Sequence, residues 1–243
     1  MPSVEYKKDQ LAVIVHTSGT SSAKPKPIPL THDNMNFYVH QTFGANMPMA
    51  AGDRVLHVLP YFAAFGIVDV AHAGFCHANH LIQIPEFSTN CLGKLVKRYK
   101  PQTIIGAPSW FLALSNDSAM HDTDLSFLTM ATYGGDSMDA EDESRMNVFL
   151  KKHNSRCVLT KGHGMSETCG CASYATKEYN IPSSAGIPMP STIYAVVDPE
   201  TKELLRFDDT QDYLEGELII SSGAVTLGIL DDRVIVPRND YNG

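Results

Sequence analysis

LAVIVHTSGTSSAKPKPIPLTH, residues 11–32, runs from a β-branched apolar stretch straight into small polar residues. Val13, Ile14 and Val15 predict a strand covered on both faces, because a short continuous apolar run bounded by a loop has that character. Thr17, Ser18, Gly19, Thr20, Ser21 and Ser22 then supply hydroxyls and loop N–H groups at the strand end. Such a loop can form an anion-binding concavity. Lys24 and Lys26, separated by Pro25, add positive charge beside it. The pattern predicts a cradle for a phosphate chain, and hence a nucleotide. It is not a P-loop, which needs G-x-x-x-x-G-K-[ST]. Lys24 stands five positions after Gly19 with no second glycine before it, and Pro25 follows.

Composition narrows the partners. A chain of 243 residues, 43% of them apolar, can bury a substantial core. The formal charge of −8 lacks the basic footprint that nucleic-acid binding requires. No apolar run is long enough to span a bilayer, and the start MPSVEYKKDQ has no signal-peptide core. Cys76, Cys91, Cys157, Cys169 and Cys171 are scattered and odd in number, which predicts a reduced, cytoplasmic protein.

Periodicity gives the organisation. Strands are predicted at 54–59, 103–105, 130–133 and 158–160, and helices at 34–43 (capped by Asp33), 66–82, 92–99, 108–114 and 140–153. This alternation argues for an α/β fold, a mostly parallel sheet covered by helices. Beyond Pro182 the pattern changes to short strand candidates at 192–197, 204–207, 216–221 and 233–236, separated by Asp, Pro and Gly turns. The expected division is therefore an α/β nucleotide-binding subdomain over 1–182 and a smaller antiparallel or barrel-like β segment over 183–243.

Polar or glycine-rich residues recur just after the predicted strands, where open α/β sheets bind ligands. They are residues 17–20, Gly134-Gly135-Asp136 and Gly162-His163-Gly164-Met165-Ser166-Glu167-Thr168. His72, Cys76 and His80, at i, i+4 and i+8 of the predicted helix over 66–82, raise a zinc site. A closed site needs a fourth ligand, and the helix already carries an apolar stripe.

In their order and content these segments resemble the adenylate-forming superfamily of acyl-CoA synthetases, luciferases and peptide-synthetase adenylation domains. Its phosphate-binding signature, T-S-G-[ST]-[ST]-G-x-P-K-G followed by T-H, is matched by residues 17–21, Pro25-Lys26 and Thr31-His32. Its second signature, Y-G-x-T-E, is similar to residues 163–167. Gly134-Gly135-Asp136 resembles its G-G-A segment, residues 59–66 (LPYFAAFG) resemble L-P-x-F-H-x-F-G, and residues 106–110 (GAPSW) resemble its substrate wall. Later turns at 186–188, 216–218 and 227–229 follow in order.

The resemblance implies a fold, a reaction and roles. A carboxylic acid would attack the α-phosphate of ATP, giving an acyl-adenylate, with CoA or a carrier-protein phosphopantetheine as thiol acceptor. Thr17, Ser18, Gly19, Thr20, Ser21 and Lys26 would hold phosphates; Lys26, not Lys24, follows proline as in the family. Ser166 would act on the phosphate, Glu167 would hold Mg²⁺, and Gly134, Gly135, Asp136, His163, Gly164 and Met165 would frame adenine. Ala63, Phe65 and Trp110 would line the acyl pocket. Residues 62–65 lack the Asp of the amino-acid-activating F-D-x-S segment, which favours other acids. Ser22, Pro27, Ala63 and Asp136 depart from the family pattern, so a non-catalytic nucleotide-binding module stays open as an alternative. The family's preceding subdomain and C-terminal domain have no counterpart in this sequence. The resemblance therefore implies a central piece of a larger enzyme, unable to sustain adenylation by itself and prone to self-association.

Overall fold

The computed structural model describes residues 5–17, 25–207, 212–231 and 234–237. The chain opens with strands β1 (Leu11–His16) and β2 (Pro27–Thr31), paired antiparallel with Val15 opposite Ile28. This corrects the expectation that β1 lies in the parallel sheet. Of its apolar run only Val15 is fully buried; Ile14 faces outward. The hairpin covers one side of the molecule, and Val15, Ile28 and Leu30 pack against helix α1 (His32–Gly44).

Thr31, not Asp33, caps α1. Its Oγ1 accepts the Asn34 N–H at 3.1 Å while Asn34 Oδ1 accepts the Thr31 N–H at 3.0 Å. That reciprocal pair satisfies two backbone donors at once. Asp33 instead accepts the Tyr6 hydroxyl and the Asp9 N–H.

Strand β3 (Arg54–His57) leads into a π-helical segment, Phe65–His72, continued by α2 (Ala73–Cys76). The long helix expected over 66–82 stops here. Ala78 takes a left-handed backbone at φ 55°, the Asn79 N–H donates to the Gly74 carbonyl at 2.8 Å, and β4 (His80–Gln83) begins. Leu81 therefore belongs to a strand that packs back on Gly74. His80 does not share a helical face with His72 and Cys76, and among the described residues no group of three His, Cys, Asp or Glu is arranged to hold a metal.

The chain continues through α3 (Leu92–Tyr99), β5 (Thr103–Gly106), α4 (Pro108–Asn116), β6 (Met130–Tyr133), α5 (Ala140–Lys152), β7 (Leu159–Met165), β8 (Gly170–Tyr174) and β9 (Ile187–Pro188). One seven-stranded sheet results, in the order β4-β3-β5-β6-β7-β8-β9. The first five are parallel and the last two antiparallel. Side chains alternate across it, as the two-residue period of a strand demands. Leu56 and Ile104 join Phe111, Leu114, Met146 and Leu150 on one face, while Val55 and Ile105 join Val70 and Met130 on the other.

The remaining strands are β10 (Ile193–Val197) with β11 (Glu217–Ser221), and β12 (Ile229–Asp231) with β13 (Val234–Val236), both antiparallel. The strand expected at 204–207 is reduced to a single bridge between Val197 and Leu204. This part is fastened to α1. Asn34 Nδ2 donates to the Gly223 and Val225 carbonyls, and Gln41 Nε2 donates to the Pro190 carbonyl at 2.8 Å. No helix of the described residues is long and apolar enough to cross a membrane.

Candidate active site

Three segments far apart in sequence meet through hydrogen bonds to the His16 backbone at the carboxyl ends of the strands. The His16 N–H donates to the Phe62 carbonyl at 3.2 Å, joining the end of β1 to the stretch after β3. Ser166 Oγ donates to the His16 carbonyl at 3.3 Å, bringing the end of β7 to the same place. At the base of the predicted phosphate loop the Thr17 N–H donates to the Lys26 carbonyl, and the Lys26 N–H to Thr17 Oγ1 at 3.0 Å. The chain leaves and re-enters at one fixed point. Ser18, Gly19, Thr20, Ser21, Ser22 and Lys24 lie outside the described residues.

A cavity of about 1250 Å³ opens beside this junction. Thr17, Ala63, Phe65, Gly134, Gly135, Asp136, His163, Gly164, Met165, Ser166 and Glu167 all contribute to its lining. Lys26 and Trp110 do not. The Lys26 side chain is exposed next to the loop. Trp110 packs over the Cα of Gly106 and tilts against Phe87, 4.8 Å between ring centroids, as a partly buried residue against the hydrophobic clusters on either side of β5.

The glycines have steric reasons. A side chain at Gly164 would run into the Gly170 carbonyl oxygen, because β7 and β8 approach closely there. One at Gly134 would meet the Gly162 carbonyl at 3.0 Å and the Phe65 ring at 3.4 Å. Gly135 adopts φ 81°, a left-handed conformation that costs glycine little. Residues 162–165, expected as a loop, extend β7, and the exposed His163 stands on that strand at the cavity.

Thr168, which the sequence reading left without a role, sets the course of residues 165–170. Its Oγ1 accepts the Met165 N–H at 3.1 Å and is 2.7 Å from the Gly170 carbonyl. Cys169 follows at φ 62°. The Glu167 carbonyl accepts the Thr226 N–H at 2.8 Å, so the β-rich part also helps to hold this turn.

Two buried carboxyl groups were also missed. Glu143 of α5 pairs with Lys161 of β7 at 2.8 Å, and the Tyr133 hydroxyl donates to the same oxygen at 3.2 Å. Burial, with Glu143 adding to it, raises the Tyr133 phenol far above its ordinary range. Asp69, on the π-helical segment, lines the cavity itself. Burial pushes its carboxyl well above the usual carboxylate range, opposed by the Cys171 N–H and the Tyr38 hydroxyl. Sequence patterning offered a signal only for Asp69, a lone charge inside the otherwise apolar FGIVDVAH; Glu143 sits among the other charges of α5.

A glycine-lined cavity at the carboxyl ends of an open parallel sheet is the arrangement of a ligand-binding α/β domain. The profile of the AMP-binding enzyme family matches residues 1–230, and the chain belongs to that family. It is 27% identical over 231 residues to the long-chain-fatty-acid–CoA ligase of Bacillus subtilis (strain 168), covering 94% of this chain and 39% of that one. The ATP-bound crystal structure of MatB from Rhodopseudomonas palustris superposes with a TM-score of 0.79 at 20% identity, over 93% of this chain and 42% of MatB. The Bacillus subtilis O-succinylbenzoate coenzyme A synthetase MenE, in complex with ATP and magnesium ion, gives 0.76 at 18% identity, over 94% and 45% respectively. The chain thus spans about two fifths of the length of its matched ligase relative.

Proposed function

We propose that this chain provides the nucleotide- and acyl-binding part of an ATP-dependent carboxylate-activating ligase, which forms an acyl-adenylate and passes the acyl group to CoA. The observation that carries the reading is the hydrogen-bonded junction Phe62–His16–Ser166, which joins the ends of β1 and β7 and the stretch after β3 beside one cavity. Family membership and the ligase relative support the reaction class.

The physical problem in adenylation is to bring an anionic carboxylate in line with an anionic phosphate. Loop N–H groups, hydroxyls and the Lys26 ammonium would offset that repulsion by electrostatic stabilisation of the developing charge. The donors that the described residues offer there, the Glu167 carboxylate and the Ser166 hydroxyl, are oxygens, which suit a hard divalent cation. Glu167 would therefore hold Mg²⁺, whose role when bound is to neutralise phosphate charge. His163 and the Gly134–Gly135 backbone would accept the adenine, and Phe65 and Ala63 would bound the acyl group.

Acid-dependent ATP–pyrophosphate exchange by the complete protein tests the reading. Glu167→Gln keeps the size and removes the charge. Exchange should fall by about two orders of magnitude or more, the scale seen when one transition-state electrostatic contact is lost. A collapse of the thermal midpoint with specific activity intact would instead make Glu167 a structural residue.

A further inference from the structure

The parallel ladder between β6 and β7 pairs Ala131 with Leu159, Thr132 with Thr160 and Tyr133 with Lys161, and its register stops there. Beyond that rung the backbones turn to other neighbours. The Gly134 N–H donates to the Gly106 carbonyl at 3.0 Å, and Gly162 pairs with Tyr174 of β8. Gly134 and Gly162 open the two segments assigned above to the adenine, and each directly follows a residue of the last rung. Both faces of the sheet are fastened at this end. On the cavity face the Thr132 and Thr160 hydroxyls are hydrogen-bonded at 2.8 Å, and both residues line the cavity. On the α5 face one oxygen of Glu143 accepts from Lys161 at 2.8 Å and from Tyr133 at 3.2 Å. Each of these three residues is 5% exposed or less.

A single carboxylate oxygen thus spans the two strands at their last paired residues. Glycine has the widest backbone freedom of any residue, so the glycines beyond hold no fixed spacing by themselves. The constraint comes from what flanks them. Buried ion pairs contribute little net stability beside two well-packed apolar side chains. Their sharper property is geometry, because charge-assisted hydrogen bonds are short and directional. An apolar pair would fill the same space without fixing the distance between the strands. Burial beside Glu143 also keeps the Tyr133 phenol protonated, so it stays a donor.

We propose that Glu143 is a positioning residue for the nucleotide base: through Tyr133 and Lys161 it fixes the spacing of Gly134-Gly135 and His163, and with it the affinity for adenine. The inference rests on the ligase reading above. Its effect is confined to the base. The phosphates would be held from the hairpin side, by Thr17 and Lys26, which this clamp does not touch.

The test compares a whole nucleotide with its phosphate tail alone. Binding of α,β-methylene-ATP and of inorganic tripolyphosphate to the complete protein is measured with Mg²⁺ present. In the double variant Lys161→Met, Glu143→Leu the nucleotide analogue should bind about 10- to 100-fold more weakly, the scale of a misplaced contact. Tripolyphosphate affinity should stay within about twofold of wild type. In pyrophosphate exchange the KM for ATP should rise while the KM for the acid holds. Tyr133→Phe keeps the ion pair and carries the test if the double variant fails to fold. It should weaken the analogue by about two- to tenfold, the scale of one hydrogen bond, again without moving tripolyphosphate. Equal weakening of both probes, or unchanged affinity for the analogue, would overturn the inference and leave the ligase reading intact. Wild-type protein that binds neither probe would overturn the ligase reading as well.

Discussion

Glu143 and Asp69 are both buried acids, at opposite walls of the same fold, and they are treated in opposite ways. Glu143 has Lys161 at 2.8 Å and the Tyr133 hydroxyl at 3.2 Å. Asp69 keeps an oxygen with no partner. The first wall is closed, tying α5 to β6 and β7 beneath the glycines that border the cavity. The second leaves an acceptor buried and unused against Gly170. A satisfied buried charge ties elements together, whereas a buried carboxyl left with an unpartnered oxygen is favoured in its neutral form.

The largest effect should come from breaking the closed wall. Lys161→Met strands Glu143 without its counter-charge, and losing one partner of a buried pair costs about 3–5 kcal/mol. Denaturant unfolding should show that loss, while the double variant Lys161→Met, Glu143→Leu should recover most of it, because two apolar groups leave no charge uncompensated. A double variant no more stable than the single one would mean that this wall needs the ion pair itself.

On the open wall, Gly170→Ala should cost about 2–3 kcal/mol, from a strained positive φ together with the collision at Asp69. Adding Asp69→Ala to it should return part of that cost. Strict additivity in a double-mutant cycle would separate the two residues and weaken the link between Gly170 and the carboxyl.

A smaller effect is expected from pH. Asp69 has a folded-state pKa above the unfolded value of about 3.9, so the folded chain holds this proton more tightly. Its contribution is full below about pH 4 and is lost as pH rises toward the folded pKa. Asp69→Asn does not titrate, so its stability relative to wild type should climb between about pH 4 and neutrality. Tyr38, Cys169 and Cys171 also face this carboxyl, but burial raises all three of those groups, so they keep their protons over that range. A flat difference would place Asp69 in water rather than in the wall.

The smallest stability effect belongs to Ser166→Ala. Its 3.3 Å bond to the His16 carbonyl is exposed, worth about 1 kcal/mol or less. A much larger loss would mean that this bond, and not the strands behind it, holds the three segments together.

Much of this was legible in the sequence because it depends on local chemistry. Strand β6 falls at the predicted residues 130–133, and α3 at 92–99, since apolar period and basic C-terminal turn leave little choice there. Motif order identified the family, and the glycines of residues 134–135 and 162–164 line one cavity. The misplacements have physical causes. Residues 77–82 kept a helical apolar spacing, yet a left-handed Ala78 and the Asn79 turn ended the helix, and sheet pairing with β3 claimed Leu81 and Ile82. Trp110 looked like a pocket wall, but Gly106 removes the Cβ that would have held its ring away from β5.

By itself the sequence determined the fold class, the family and most of the run of parallel strands. Those follow from period, turn residues and small side chains, each readable within a short window. Only the tertiary structure decided that β1 leaves the parallel sheet to pair with β2, that Thr168 shapes the turn after β7, and that Asp69 turns inward with an oxygen unpaired. Each of these depends on a partner far along the chain, and burial and pairing are properties of what packs opposite a residue rather than of the residue itself.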